Sequence, residues 1–143
     1  MEIASNLDRF LDAQAEIYES AFAELKDGWK CTHWMWFVFP QIQGLGHSET
    51  ARFYAIENLA EAQAYLTHPF LGQRLRECAQ ALLQTEDLSA LDILGSPDDL
   101  KLKSSMTLFE KVAAKDDIIF TDIIDRFYNG ERCSLTLQQL ETE

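Results

Sequence analysis

The run His33-Trp34-Met35-Trp36-Phe37-Val38-Phe39-Pro40-Gln41-Ile42-Gln43-Gly44-Leu45-Gly46 decides how this chain must fold. No Lys, Arg, Asp or Glu occurs between Lys30 and Glu49, although the protein carries 24 acidic and 12 basic residues. Two of the three tryptophans and two of the nine phenylalanines stand between Trp34 and Phe39. Their order follows neither the alternation of a half-buried strand nor the spacing of an amphipathic helix, so the segment is buried on most sides. A residue before proline is pushed out of the α region, which favours a short helix ending before Pro40. Whether the rest, as far as His47, is helical or irregular stays open.

Helical signals lie on both sides. Asn6 can cap a helix from about Leu7 to Lys26, with Gly28 as its stop. Leu7, Phe10, Leu11, Ile17, Tyr18, Ala21, Phe22 and Leu25 form one stripe on it, opposite Asp8, Asp12, Glu16 and Glu19. Ser48 caps a helix to about Ile56. Asn58 with Glu61 makes a capping-box-like start for a helix to about Thr67. Pro69 at a first helical position opens a helix to about Leu83, and Thr85 to Ser89 form a connection. Ser96-Pro97-Asp98-Asp99 combines a cap, a proline and acids facing the helix dipole, for a helix to about Ala113. Lys115-Asp116-Asp117 starts another, ended by Asn129-Gly130, and Ser134 begins a last one whose end frays. No segment has strand alternation with hairpin turns. The expectation is an all-α, single-domain compact array of seven or eight short-to-medium helices spanning residues 1–143.

Composition bounds the function. An apolar fraction of 47% with 25% charged residues is that of a globular protein and not of a disordered one. No stretch approaches about 18 consecutive apolar residues, and the N-terminus lacks the basic and apolar regions of a signal peptide. Cys31, Cys78 and Cys133 have no metal-type spacing and read as reduced thiols, so a cytoplasmic location is expected. The net charge of -12 opposes non-specific nucleic-acid binding and attachment to anionic membranes. His33, His47 and His68 lack short metal-ligand spacing, and no Walker A, Gly-x-Gly-x-x-Gly or Gly-x-Ser-x-Gly motif occurs. Neither a metal nor a cofactor is implied.

Candidate site residues come from departures from pattern. Gln14 projects from the first apolar stripe, where a buried amide must find partners: loop backbone or a ligand. Ser105 falls in the apolar arc of the helix from Pro97, bonded back to a carbonyl or facing a ligand. Lys101 borders that arc, its stem on apolar surface and its head in solvent or in a pocket. His33 opens the aromatic run as a structural imidazole or an acid–base group. His47 stands between a glycine loop and a helix start, where backbone N–H groups can hold an anion. His68 reads as structural.

In His33-Trp-Met-Trp-Phe-Val-Phe-Pro-Gln41, Gly44-Leu-Gly46-x-Ser48, Tyr54-Ala-Ile56, Glu61-Ala-x-Ala-Tyr65-Leu66, His68-Pro69-x-Leu-Gly72-x-Arg74-Leu75 and Lys101-Leu-x-Ser-Ser-Met-Thr-Leu-Phe109 the chain resembles domain-of-unknown-function family 1810. The resemblance covers roughly residues 6–129. It implies a small, single-domain, all-helical protein whose biochemical function is not established. Some members carry the label calpastatin, after inhibitors of calcium-dependent cysteine proteases. Inhibitors of that kind act through disordered segments that fold on binding, whereas this chain reads as globular.

Two functions fit these residues. In one, a small anionic ligand, a nucleotide-like molecule among the candidates, is bound or processed in a pocket walled by Trp34, Trp36 and Phe39. Gln14, Ser105 and Lys101 would there converge on His33 and Gln41, with His47 as a further contact. His33 would serve acid–base chemistry and Lys101 electrostatic stabilisation. In the other, part of the aromatic run is an exposed patch for a protein partner or a second copy of the chain. No motif decides whether the protein is an enzyme.

Overall fold

Gly28 takes the left-handed conformation (φ 74°) that only glycine adopts without strain, and its N–H closes the helix before it on Leu25. The structure is a computed structural model and describes residues 7–141. The expected cap Asn6 lies outside the described residues. The segment before Gly28 is two helices, α1 (Asp8–Gln14) and α2 (Tyr18–Asp27), and not one. The break has a packing cause: α1 lies on α3 (Met35–Val38), whereas α2 lies on α6 (Leu71–Leu83). A straight helix could not serve both neighbours.

The remaining elements are α4 (Glu49–Phe53), α5 (Leu59–Thr67), α7 (Ala90–Leu94), α8 (Asp98–Val112), α9 (Ile119–Tyr128) and α10 (Ser134–Glu141). The all-α expectation holds, with ten helices among the described residues where seven or eight were expected. The extra ones are the split at residues 15–17 and α7. A capping box between Ser89 and Asp92 starts α7, a signal present in the sequence and passed over as connection.

Several starts are where the caps place them. Ser48 Oγ accepts from Ala51 N–H, and Asn58 Oδ1 from Glu61 N–H at 2.8 Å. Three starts are displaced, one of them that of α9, which begins at Ile119 and not at Lys115-Asp116-Asp117, where Asp117 is held by Arg76 at 2.7 Å. The helix after His68 begins at Leu71, because His68 Nδ1 accepts from the N–H groups of Phe70 and Leu71 and so replaces Pro69 as the opening device. Pro97 is the cap of α8 and not its first residue. α4 stops at Phe53, short of Ile56, because the backbone beyond it is engaged elsewhere: Ala55 O by Arg9, Ile56 N–H by Gln41 O.

The long helix α8 is central, packing against α5, α7, α9 and α10. Leu102, Met106, Leu108 and Phe109 on it are buried. Phe109 lies between Tyr65 (ring centroids 5.3 Å apart) and Phe120 (6.0 Å). Ser104 Oγ and Thr136 Oγ1, both buried and 2.8 Å apart, fasten α10 to α8, so α10 is docked. The last helix, whose end was expected to fray, is helical to Glu141, and residues 142–143 lie outside the described ones. Among the described residues no helix is long and apolar enough to cross a membrane.

Candidate functional site

Two stretches of irregular backbone make the cleft that follows α3. Gln43 N–H donates to Ile56 O, and Ile56 N–H donates to Gln41 O, both at 2.8 Å. This isolated parallel bridge between Ile42 and Ile56 holds the segment after Pro40 beside the segment after α4. Between them opens a cleft of about 620 Å³, within the size range of small-molecule sites. Trp36, Gln41, His47, Arg52 and Tyr54 are among the residues lining it, together with the Gly44-Leu45-Gly46 loop.

The loop needs its glycines. Gly44 has φ 95°, and a side chain there would meet the Gln139 amide at 2.8 Å. A Cβ on Gly46 would stand 2.7 Å from Ala51 Cβ and 3.5 Å from the Trp36 ring. Only a residue without a side chain lets the loop pass this close to α4 and to the indole edge. The N–H groups of Gly46 and His47 have no partner among the described residues, and the imidazole of His47 is exposed.

Two arginines reach the cleft differently. Arg9 crosses from α1, donates to Phe53 O and Ala55 O at 2.7 Å each, and pairs with Glu61. It shapes the wall. Arg52, on α4, is exposed and has no partner among the described residues, so its donors face solvent at the rim. Neither arginine stood out in the sequence. The only signal for Arg9 was a lone base beside the apolar stripe of an otherwise acidic helix.

Of the expected site residues, the structure brings together Trp36, Gln41 and His47. The others are elsewhere. Gln14 is buried and its amide is used by the protein: Nε2 donates to Phe37 O (2.7 Å) and Tyr65 Oη (3.0 Å), and Oε1 accepts from Arg74 (3.3 Å). Trp34 and Phe39 are core, 1% and 0% exposed, and are not among the residues lining this cleft. Ser105 is buried in α8, its Oγ without a partner among the described residues. The expected convergence of Gln14, Ser105 and Lys101 on His33 and Gln41 does not occur.

His33 is exposed, on a loop held by one carboxylate. Glu24 accepts from the N–H groups of Cys31 and Thr32, the Thr32 hydroxyl and the Trp34 indole. Partial burial would raise the Glu24 carboxyl, but these donors outweigh it and hold it down at about 2. The loop therefore turns its backbone and Trp34 inward and leaves His33 in water.

Lys101 lies against Trp36 without lining the cleft. Its Nζ is 4.0 Å from the centroid of the indole and 3.0 Å from Asp98 Oδ1. Lys30 holds the other oxygen of Asp98 at 3.0 Å and lies 5.1 Å from the Trp34 ring. Partial burial opposes ionisation of Asp98, yet the two ammonium groups prevail and keep its carboxyl below the usual range.

Comparison with known proteins gives a family and a fold. A family model described as "Protein of unknown function (DUF1810)" matches residues 4–140. The crystal structure of the conserved hypothetical protein Rv1873 from Mycobacterium tuberculosis is similar, with 46% sequence identity and a TM-score of 0.92 over 95% of this chain and 96% of that one. No curated protein matches.

Proposed function

The chain belongs to the DUF1810 family of proteins of unknown function, which passes on no activity, and we propose from the cleft that it binds a small planar molecule bearing an anionic group, of nucleotide size. That Trp36, Arg52, Gly46 and His47 line one volume, with no partner among the described residues for the Arg52 side chain or for the Gly46 and His47 N–H groups, carries this proposal. An indole offers a stacking surface. A guanidinium and unpaired amides are the donors a phosphate or carboxylate takes. Gln41 adds an amide able to read a ring edge. In a protein with a net charge of -12, an unpaired arginine at a cleft rim is a local exception to the surrounding field.

Binding is proposed, without a reaction. The cytoplasm is the proposed location, where Cys31, Cys78 and Cys133 stay free thiols. The alternative of an interaction module built on the aromatic run has against it that Trp34 and Phe39 are buried.

Thermal shift and calorimetry with AMP, ADP and adenosine test the proposal. At about 100 times its dissociation constant a ligand stabilises by about 2.7 kcal/mol. AMP and ADP are expected to bind more tightly than adenosine, Arg52→Ala to remove that preference, and Trp36→Leu to weaken all three. Absence of binding by every phosphate-bearing ring compound, or full affinity in Arg52→Ala, refutes it.

A further inference from the structure

The glycine loop of the cleft is held from two sides. The Ile42–Ile56 bridge ties its beginning, and the Ser48 cap on Ala51 ties its end. Between those anchors residues 44–47 make no backbone–backbone hydrogen bond among the described residues, so side-chain packing sets the course of the loop. Leu45 is half-buried against the core. Gly46 lies against Ala51 and the Trp36 ring. Gly44 lies against α10: Cδ, Nε2 and Oε1 of Gln139 stand 2.8, 2.8 and 2.9 Å from the position its Cβ would take. The whole amide therefore covers that side of the Gly44 α-carbon.

The rest of α10 puts Gln139 there. Thr136, Gln139 and Leu140 share one face of the helix, three and four residues apart. Thr136 is buried on the Ser104 hydroxyl of α8, and Leu140 packs on the core. Cys133 N–H, just before the helix, donates to Thr107 Oγ1 at 3.0 Å and adds a second tie to α8. Gln139 is the polar member of this inward face. It is half-buried and does not itself line the cleft, but the Gly44 that it covers does.

We infer that Gln139 is a positioning residue for the cleft, and that docking of α10 and binding of the ligand support each other. The inference rests on the binding role proposed for the cleft. A loop without backbone hydrogen bonds loses conformational freedom when it orders around a ligand, and a contact that fixes it beforehand lowers that cost. Gln139 supplies such a contact from outside the cleft. Undocking of α10 withdraws it and lowers the affinity. By linkage, a ligand in the cleft opposes undocking by the same factor.

Calorimetry and hydrogen exchange with AMP test this. Gln139→Ala should weaken AMP about tenfold, the ordering of roughly one backbone residue, and melt close to wild type. In Ser104→Ala, where α10 opens more often, saturating AMP should slow exchange in α10 by the same factor of about ten. In Ser104→Ala with Gln139→Ala the loop no longer senses the helix, and AMP should slow that exchange by no more than about twofold. A purely structural Gln139 would move the melting temperature and neither of these readouts. Full AMP affinity in Gln139→Ala, or α10 exchange that AMP leaves unchanged in Ser104→Ala or slows equally in the double variant, overturns the inference and leaves the binding role of the cleft standing. Failure of AMP to bind wild type overturns both.

Discussion

Arg9 and Glu61 face each other at 3.1 Å with side chains 7% and 3% exposed, and they join α1 to α5 behind the cleft. The Glu61 carboxylate also accepts from Glu57 N–H, so one buried ion pair organises the backbone on both sides of the 53–57 segment. Removal of Arg9 leaves the Glu61 carboxylate buried without its guanidinium. Arg9→Met should cost about 3–5 kcal/mol. Arg9→Met with Glu61→Leu should recover part of that loss, because no charge then stays in the interior. Urea unfolding of the three proteins checks this; a double variant no more stable than the single one contradicts it.

Acid should loosen the loop that carries His33. The Glu24 carboxyl, held at about 2 against an ordinary 4.5, is more acidic in the folded than in the unfolded chain. Its contribution is therefore complete above about pH 4.5 and is lost as the pH falls from there toward about 2. Glu24→Gln should cost about 1–3 kcal/mol at neutral pH and flatten the decline below pH 5. Melting temperatures of the two proteins should converge as the pH is lowered. Parallel curves would assign the acid sensitivity to other carboxylates.

Two glycines separate steric need from conformational need. A Cβ on Gly72 would lie 2.0 Å from the carbonyl oxygen of Leu66, a backbone atom that cannot give way cheaply. Gly95 has φ 78°, but nothing stands within 4 Å of its would-be side chain. Gly72→Ala should cost about 3 kcal/mol or more through displacement of α5 against α6. Gly95→Ala should cost about 1–3 kcal/mol, because its backbone (φ 78°, ψ 170°) lies in a region essentially only glycine occupies. Chemical denaturation gives the order directly.

Adjacent serines on α8 should respond in opposite directions. Ser105 Oγ is buried without a partner among the described residues, so Ser105→Ala removes an uncompensated polar group. It should be neutral or stabilise by up to about 1 kcal/mol. Ser104→Ala breaks the bond to Thr136, leaves that hydroxyl unpaired, and should cost about 1–2 kcal/mol. Hydrogen exchange in α10 should quicken in Ser104→Ala alone.

The all-α class and most helix starts were legible in the sequence. A cap bond such as Asn58 to Glu61 N–H closes within three residues, so its chemistry is written locally. The same holds for Ser48, and for the Ser89–Asp92 box that was legible and overlooked. The inward pull of Gln14 was legible as well, as an amide in an apolar stripe. Its partners were not: Phe37, Tyr65 and Arg74 lie 23, 51 and 60 positions away.

The same distinction runs through the cleft. Composition and local spacing require that the Trp34–Phe39 run be buried and that the chain turn at Pro40 and the glycines, because apolar burial and backbone preference act at short range. They do not say which ring becomes core and which becomes wall. That choice follows from the pairing of Ile42 with Ile56, the reach of Arg9 to Ala55 and the grip of Glu24 on the 31–34 loop. Those contacts bury Trp34, leave Trp36 lining the cleft and set Lys101 against it. Each joins residues distant in the chain, whose meeting depends on how the helices pack.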